Sequence, residues 1–172
     1  SFYAGGSNDV RGWRARSLGP GSYEYYLDTG RTIVQVADIR LSASVEYRFQ
    51  FSEFLKGALF VDAGNIWTLR DDNNRVGSKF SNNWHKEIAV ASGVGFRMDF
   101  DYFIIRFDLG FKLHNPALPQ GSKWVFQSRD KFDQKIIDFI QENKDNGITV
   151  TESKLETKPF TPQISFGIGY PF

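Results

Sequence analysis

From Asp38 to Phe49 polar and apolar side chains alternate without interruption. Asp38, Arg40, Ser42, Ser44, Glu46 and Arg48 share one parity, and Ile39, Leu41, Ala43, Val45, Tyr47 and Phe49 share the other. A period of two belongs to extended backbone, whose side chains leave on opposite faces in turn. A helix would scatter the same residues around its circumference. At ~3.3 Å per residue the run satisfies the ~9–11 residues that a tilted membrane strand needs. This part of the chain is therefore committed to a sheet with one charged or small face and one large apolar face.

The pattern returns downstream. Ala58 to Trp67 is an apolar run carrying Asp62 as its one charge. Ile88 to Asp99 sets Ile88, Val90, Val94, Phe96 and Met98 against Ala89, Ala91, Gly93, Gly95, Arg97 and Asp99. Phe103 to Leu113 sets Ile105, Phe107, Leu109, Phe111 and Leu113 against Arg106, Asp108, Gly110 and Lys112. Ile164 to Phe172 alternates Ile164, Phe166, Ile168, Tyr170 and Phe172 with Ser165, Gly167 and Gly169. The expected fold is all-β, with five antiparallel strands. Between the last two strands lies an insertion at about 115–161. Within it Phe132, Ile136, Phe139 and Ile140 fall on one helical face, with Asn146-Gly147 as the stop.

Alternation alone does not say which face meets water, so a soluble ligand-binding barrel stays open at this point. The connections discriminate. Those near 50–56 and 100–102 are short, whereas those at 69–86 and 115–161 are long, as in outer-membrane barrels with short periplasmic turns and long external loops. Phe49, Phe51, Phe54, Phe100, Tyr102, Phe103, Tyr170 and Phe172 gather at the short-turn end, and Trp67 and Trp84 at the other. Two aromatic girdles are the expected reading. Gly93, Gly95, Gly110, Gly167 and Gly169 all lie on the polar face. That face has too few side chains to fill a soluble core, but it leaves room for a segment to lie against it. The apolar face is expected to meet lipid.

Little in the chain suggests covalent chemistry. Cysteine is absent, which removes disulfides, zinc–thiolate sites and thiol nucleophiles. His85 and His114 sit in or beside different loops and belong to no spaced ligand set. The loop from Asp72 to Gly77 resembles a calcium loop only at its start, with Val76 and Asn83 where ligands would be needed. There is no nucleophile-elbow, phosphate-loop or dinucleotide motif. A formal net charge of +1 gives no reason to expect nucleic acid. The expectation is no enzyme, no cofactor and no metal.

One stretch stands apart from the strands: Phe2-Tyr3-Ala4-Gly5-Gly6-Ser7-Asn8-Asp9-Val10-Arg11-Gly12-Trp13. Its Gly pair and Ser-Asn-Asp run are loop chemistry. The motif Val10-Arg11-Gly12-Trp13 resembles the VRG-aromatic loop of the BamA/TamA-like outer-membrane assembly and translocation barrels, the bacterial surface antigen superfamily, with Trp where Phe or Tyr is usual. Phe60 to Trp67 resembles that superfamily's Asp-containing strand, and Ala37 to Phe49 the strand before it. Phe166, Ile168, Tyr170 and a terminal Phe172 resemble the β-signal read by the assembly machinery.

The resemblance implies a sixteen-stranded barrel, a loop folded into its lumen, and an arginine tied to acidic residues on the inner wall. Glu46 and Asp62 fit that role, lying on adjacent antiparallel strands on the polar face, and a guanidinium fork can bridge two carboxylates. Three independent solvated charges are the plain alternative. On this reading residues 1–30 form the lumen-folded loop bearing the VRGW motif, and 31–172 the C-terminal barrel strands. Since Ser1 opens directly into a loop, earlier strands and periplasmic POTRA domains of the same chain are expected outside this sequence. The implied partners are outer-membrane lipids, client outer-membrane proteins and accessory assembly subunits, and the implied location is the bacterial outer membrane. Gly167, Gly169 and Pro171 would weaken the last strand as a seam, because Gly pairs loosely and Pro removes a ladder donor. A two-partner-secretion-type pore, or a barrel fused to an enzyme domain, is the alternative.

Overall fold

The computed structural model describes residues 1–24, 35–150 and 161–169. The boundary expected at 30–31, and Tyr170, Pro171 and Phe172 of the terminal stretch, lie outside the described residues. Five strands, β1 (Ile39–Gln50), β2 (Leu55–Trp67), β3 (Ala89–Asp99), β4 (Ile104–His114) and β5 (Pro162–Gly169), form an open antiparallel sheet in sequence order. Among the described residues the one α-helix, α1 (Arg129–Asp145), lies in the last long connection. Among the described residues no helix is long and apolar enough to cross a membrane; strands of a barrel cross by alternation instead.

The register turns sequence parity into stripes. Phe96 faces Phe107, which faces Phe166, and Val45 faces Val61. On the opposite face Glu46, Phe60, Gly93 and Gly110 form one row across four strands, and Ala58, Gly95 and Asp108 lie in the next. Val45, Tyr47, Leu59, Val61, Phe96, Phe107, Ile164, Phe166 and Ile168 are exposed on the apolar face. A continuous apolar surface of this kind marks a partner or a membrane.

The other face is covered by the chain's own N-terminal segment. Ala4, Val10, Trp13 and Leu18 bury themselves against Ala37, Ile66, Ala89 and Ala91. Backbone pairing ties this segment down, with Phe2 and Ala37 exchanging hydrogen bonds at 2.6 and 2.9 Å. Burying a side chain the size of Val or Leu contributes about 1.5–3 kcal/mol, so these apolar contacts help hold the segment to the sheet.

The long connections differ from expectation in two places. Trp67 does not join an exposed girdle; it is fully buried beneath its own loop. Phe80 packs edge-on to it at 5.5 Å, Trp84 stacks on Phe80, and the indole N–H donates to Glu87 at 2.6 Å. At this end of the sheet Phe80, Trp84, Trp124 and Phe126 are among the exposed aromatics. The second difference is a bulge in β4. Ala91 pairs with Lys112 and Val90 with His114, leaving Leu113 extra. Strict alternation would put His114 on the polar face; the bulge turns it to the apolar one, beside Val90.

The helix follows the apolar spacing that sequence shows. Phe132 and Ile136 are buried against Leu118, with Phe139, Ile140 and Val150 around them. It ends at Asn146, and Gly147 takes φ +73 beyond the cap, a conformation that Gly adopts without strain. Its apolar face is satisfied by its own connection.

Candidate functional site

The loop bearing Arg11 is shaped locally before it meets the sheet. Gly5 and Gly6 take φ +94 and +112, which an L side chain rarely adopts. The Gly5 amide donates to the Asp9 carboxylate at 2.9 Å, Gly6 N–H to the Trp13 carbonyl at 3.0 Å, and Trp13 N–H to the Val10 carbonyl at 3.1 Å. Val10 and Trp13 point into the apolar cluster, and Arg11 between them turns to the sheet.

At Gly110 the contact is backbone to backbone, and at Gly12 it is backbone to the Ala91 methyl. A methyl group added at Gly110 would lie 2.6 Å from the Arg11 carbonyl oxygen, and one at Gly12 would lie 2.8 Å from Ala91 Cβ. Glycine is required at both positions because the loop and the sheet approach too closely for a Cβ. The other glycines of the polar face have separate uses. Gly93 leaves space for the Phe60 ring, and Gly95 for the Asp108 carboxylate. Gly167 and Gly169 of β5 stand clear, with only Arg106 within 4 Å of a methyl at the first and nothing at the second.

The structure brings Arg11, Glu46 and Asp62 together. Arg11 Nε and Nη2 donate to the two Asp62 oxygens at 2.7 and 2.8 Å, a bidentate fork, and the Arg11 amide donates to Oδ2 at 3.0 Å. Nη1 donates to Glu46 at 2.6 Å. Ser44 Oγ donates to Asp62 at 2.6 Å. The guanidinium lies 3.5 Å above the centre of the Phe60 ring, adding a cation–π contact to the ionic ones. Lys has neither the fork nor the plane, so it is no equivalent here.

Several partners escape a reading by sequence. Asp108, fully buried, lies 4.0 Å from Arg11 Nη1 and 2.9 Å from Arg106 Nε. Asp108 thus belongs to the buried cluster, although its parity alone suggests a wet wall position. Arg97 and Arg48 both reach Glu46, at 2.9 and 2.6 Å. Arg106 also donates to the Ser7 carbonyl and the Asn8 side chain at 2.6 and 2.8 Å, and Arg40 pairs with Asp9 at 3.1 Å. Three arginines (11, 97 and 106) thus face three carboxylates (46, 62 and 108) beneath the loop. Polar-face parity marks every one of these residues as a candidate, but choosing among them needs the register across four strands.

Burying ions costs desolvation that pairing offsets only with good geometry, and removing one partner of such a set costs ~3–5 kcal/mol. The hydroxyl against a carboxylate here is Ser44, and its Asp62 partner is already held by the Arg11 fork. What it can do is hold a loop in one position. On β5, Phe166 and Ile168 are exposed on the apolar face, and Phe166 packs on Phe107 at 5.0 Å. Gly167 pairs with Arg106 and Gly169 with Ile104.

A family model described as the Omp85 superfamily domain matches residues 1–172. No solved structure matches the chain.

Proposed function

The chain belongs to the Omp85 superfamily, whose members insert or translocate proteins at the bacterial outer membrane, and on that premise we propose that it is the C-terminal barrel portion of a BamA/TamA-like assembly factor. No covalent chemistry is involved. The apolar face meets lipid, the polar face is the lumen wall, and residues 1–24 lie inside as the pinned loop. Periplasmic POTRA domains and earlier strands complete the protein, and client outer-membrane proteins are its substrates. The observation that carries this reading is the fork of Arg11 on Asp62 beneath a loop seated on Gly110. Such a clamp fixes the loop to the wall formed by the last strands.

In this reading β5 is the movable side of a seam. A strand edge left unpaired is a template for another strand, and an insertase would use that hazard. Gly167 and Gly169 leave the end of β5 with little packing on its inner face, which lowers the cost of parting it from a neighbour. A disulfide from Gly167→Cys to a facing cysteine in the barrel's first strand tests this in cells depleted of the native protein. Loss of outer-membrane assembly, restored by reductant with the barrel folded throughout, is the expected result. Undiminished assembly by the oxidised protein would eliminate the seam and favour a passive pore.

A further inference from the structure

A second site lies on the opposite face of the sheet, at its long-connection end. Lys86, Ile88, Val90, His114, Lys123 and Trp124 help line an open cavity of about 690 Å³. The bulge in β4 builds it. By turning His114 outward beside Val90, the bulge lets Trp124 pack on the imidazole at 4.5 Å, while His114 Nδ1 lies 2.6 Å from the Ile88 carbonyl. The segment around Trp124 is held to the end of β4 by Asn115 N–H donating to the Lys123 carbonyl and Val125 N–H to the Leu113 carbonyl.

The chemistry of the lining is divided by depth. Ile88 and Val90 give the end nearer the sheet an apolar wall. Lys86 and Lys123 stand at the loop end, and no carboxylate lines the cavity. Glu87, next in sequence, is occupied by the Trp67 indole at 2.6 Å. Among the described residues neither lysine has an ion-pair partner. By contrast Lys79 on the same loop is paired with Asp71 at 2.6 Å. Trp84, Trp124 and Phe126 are exposed aromatics at this end of the sheet, and amphipathic rings such as Trp settle at the boundary between acyl chains and headgroups. Two cations without an ion-pair partner among the described residues, beside an apolar wall, match the layout of a phosphorylated lipid.

We propose that this cavity binds the phosphate-bearing headgroup of an outer-leaflet lipid, with Lys86 and Lys123 on the phosphate and Ile88 and Val90 against the first part of an acyl chain. The site rests on the membrane reading given above and adds a specific ligand to it. The apolar wall favours a lipid over free phosphate, which would have no use for it.

The test uses the intact protein in phosphatidylcholine nanodiscs doped with a bis-phosphorylated glycolipid, read by native mass spectrometry of retained lipid and by Trp fluorescence. Folding is checked separately by heat-modifiable gel mobility. The native protein is expected to retain the phosphorylated lipid over phosphatidylcholine, with inorganic phosphate failing to displace it. Lys86→Gln with Lys123→Gln should weaken retention about thirtyfold, and Lys79→Gln should leave it unchanged. Equal retention by the double variant, or full displacement by inorganic phosphate, would overturn the lipid site while leaving the barrel reading intact. Failure of the native protein to enter nanodiscs at all would overturn both.

Discussion

Gly110→Ala tests the seating of the loop without altering any charge. The added methyl would lie 2.6 Å from the Arg11 carbonyl oxygen, 2.8 Å from its carbonyl carbon and 3.2 Å from the Gly12 nitrogen. All three are backbone atoms, so no rotamer change relieves the overlap. Reaching ordinary contact at 3.4 Å requires the loop to lift by about 0.8 Å. That shift is large beside the tolerance of hydrogen bonds already at 2.6–2.8 Å between Arg11, Glu46 and Asp62. Overpacking alone costs ~1–3 kcal/mol, and full loss of a buried ion pair ~3–5 kcal/mol. A partial lift should therefore cost about 2–4 kcal/mol. The assay is equilibrium urea unfolding of the refolded barrel in lipid, with thiol labelling of Ser7→Cys to report loop release. Gly169→Ala is the control, since a methyl there meets nothing within 4 Å. Equal midpoints for the two alanine variants would show that the loop is not seated on β4 and refute the reasoning.

The ion cluster makes its own predictions. Asp62→Asn removes the carboxylate that holds the Arg11 fork and should cost ~3–5 kcal/mol, whereas Asp108→Asn leaves the fork in place, breaks a pair with the partly exposed Arg106 and should cost less; the reverse order in urea midpoints would displace Asp62 from the centre of the clamp. Arg11→Glu should cut folded yield in heat-modifiable gel assays far below that of Arg75→Glu, whose partner Asp72 sits on a surface loop. Equal yields would mean that the loop clamp has no role in folding. Phe60→Leu removes the ring beneath the guanidinium and should cost ~1–2 kcal/mol more than Leu59→Ala on the exposed face, read by the same unfolding assay.

The strands were legible because one face of each is apolar and the other is not, and parity survives whatever the strand packs against. Asp38 to Phe49 needed nothing further. The pairing of Arg11 with Glu46 and Asp62 was accessible because adjacent antiparallel strands joined by a short turn have a nearly determined register. Asp108 was not, since it sits two strands from Asp62 and its membership depends on accumulated register and on Gly95 giving it room. Arg97 and Arg106 share that difficulty. Trp67 shows a different limit. Its place at a strand end suggested an exposed ring, but a long polar-looking loop carried Phe80, Trp84 and Glu87 back over it. The bulge that turns His114 outward leaves no mark in composition, because Leu113 looks like any other member of its stripe.

The central claim is that one face of this sheet meets lipid while the other holds the loop. Quenching by brominated lipids measures it directly, with single fluorescent labels at Val61, Phe96, Phe107 and Phe166 on one face and at Ser42 on the other. The predicted result is strong quenching at the first four positions and none at Ser42. Quenching at Ser42 with protection of the other four, or no quenching anywhere, would contradict it.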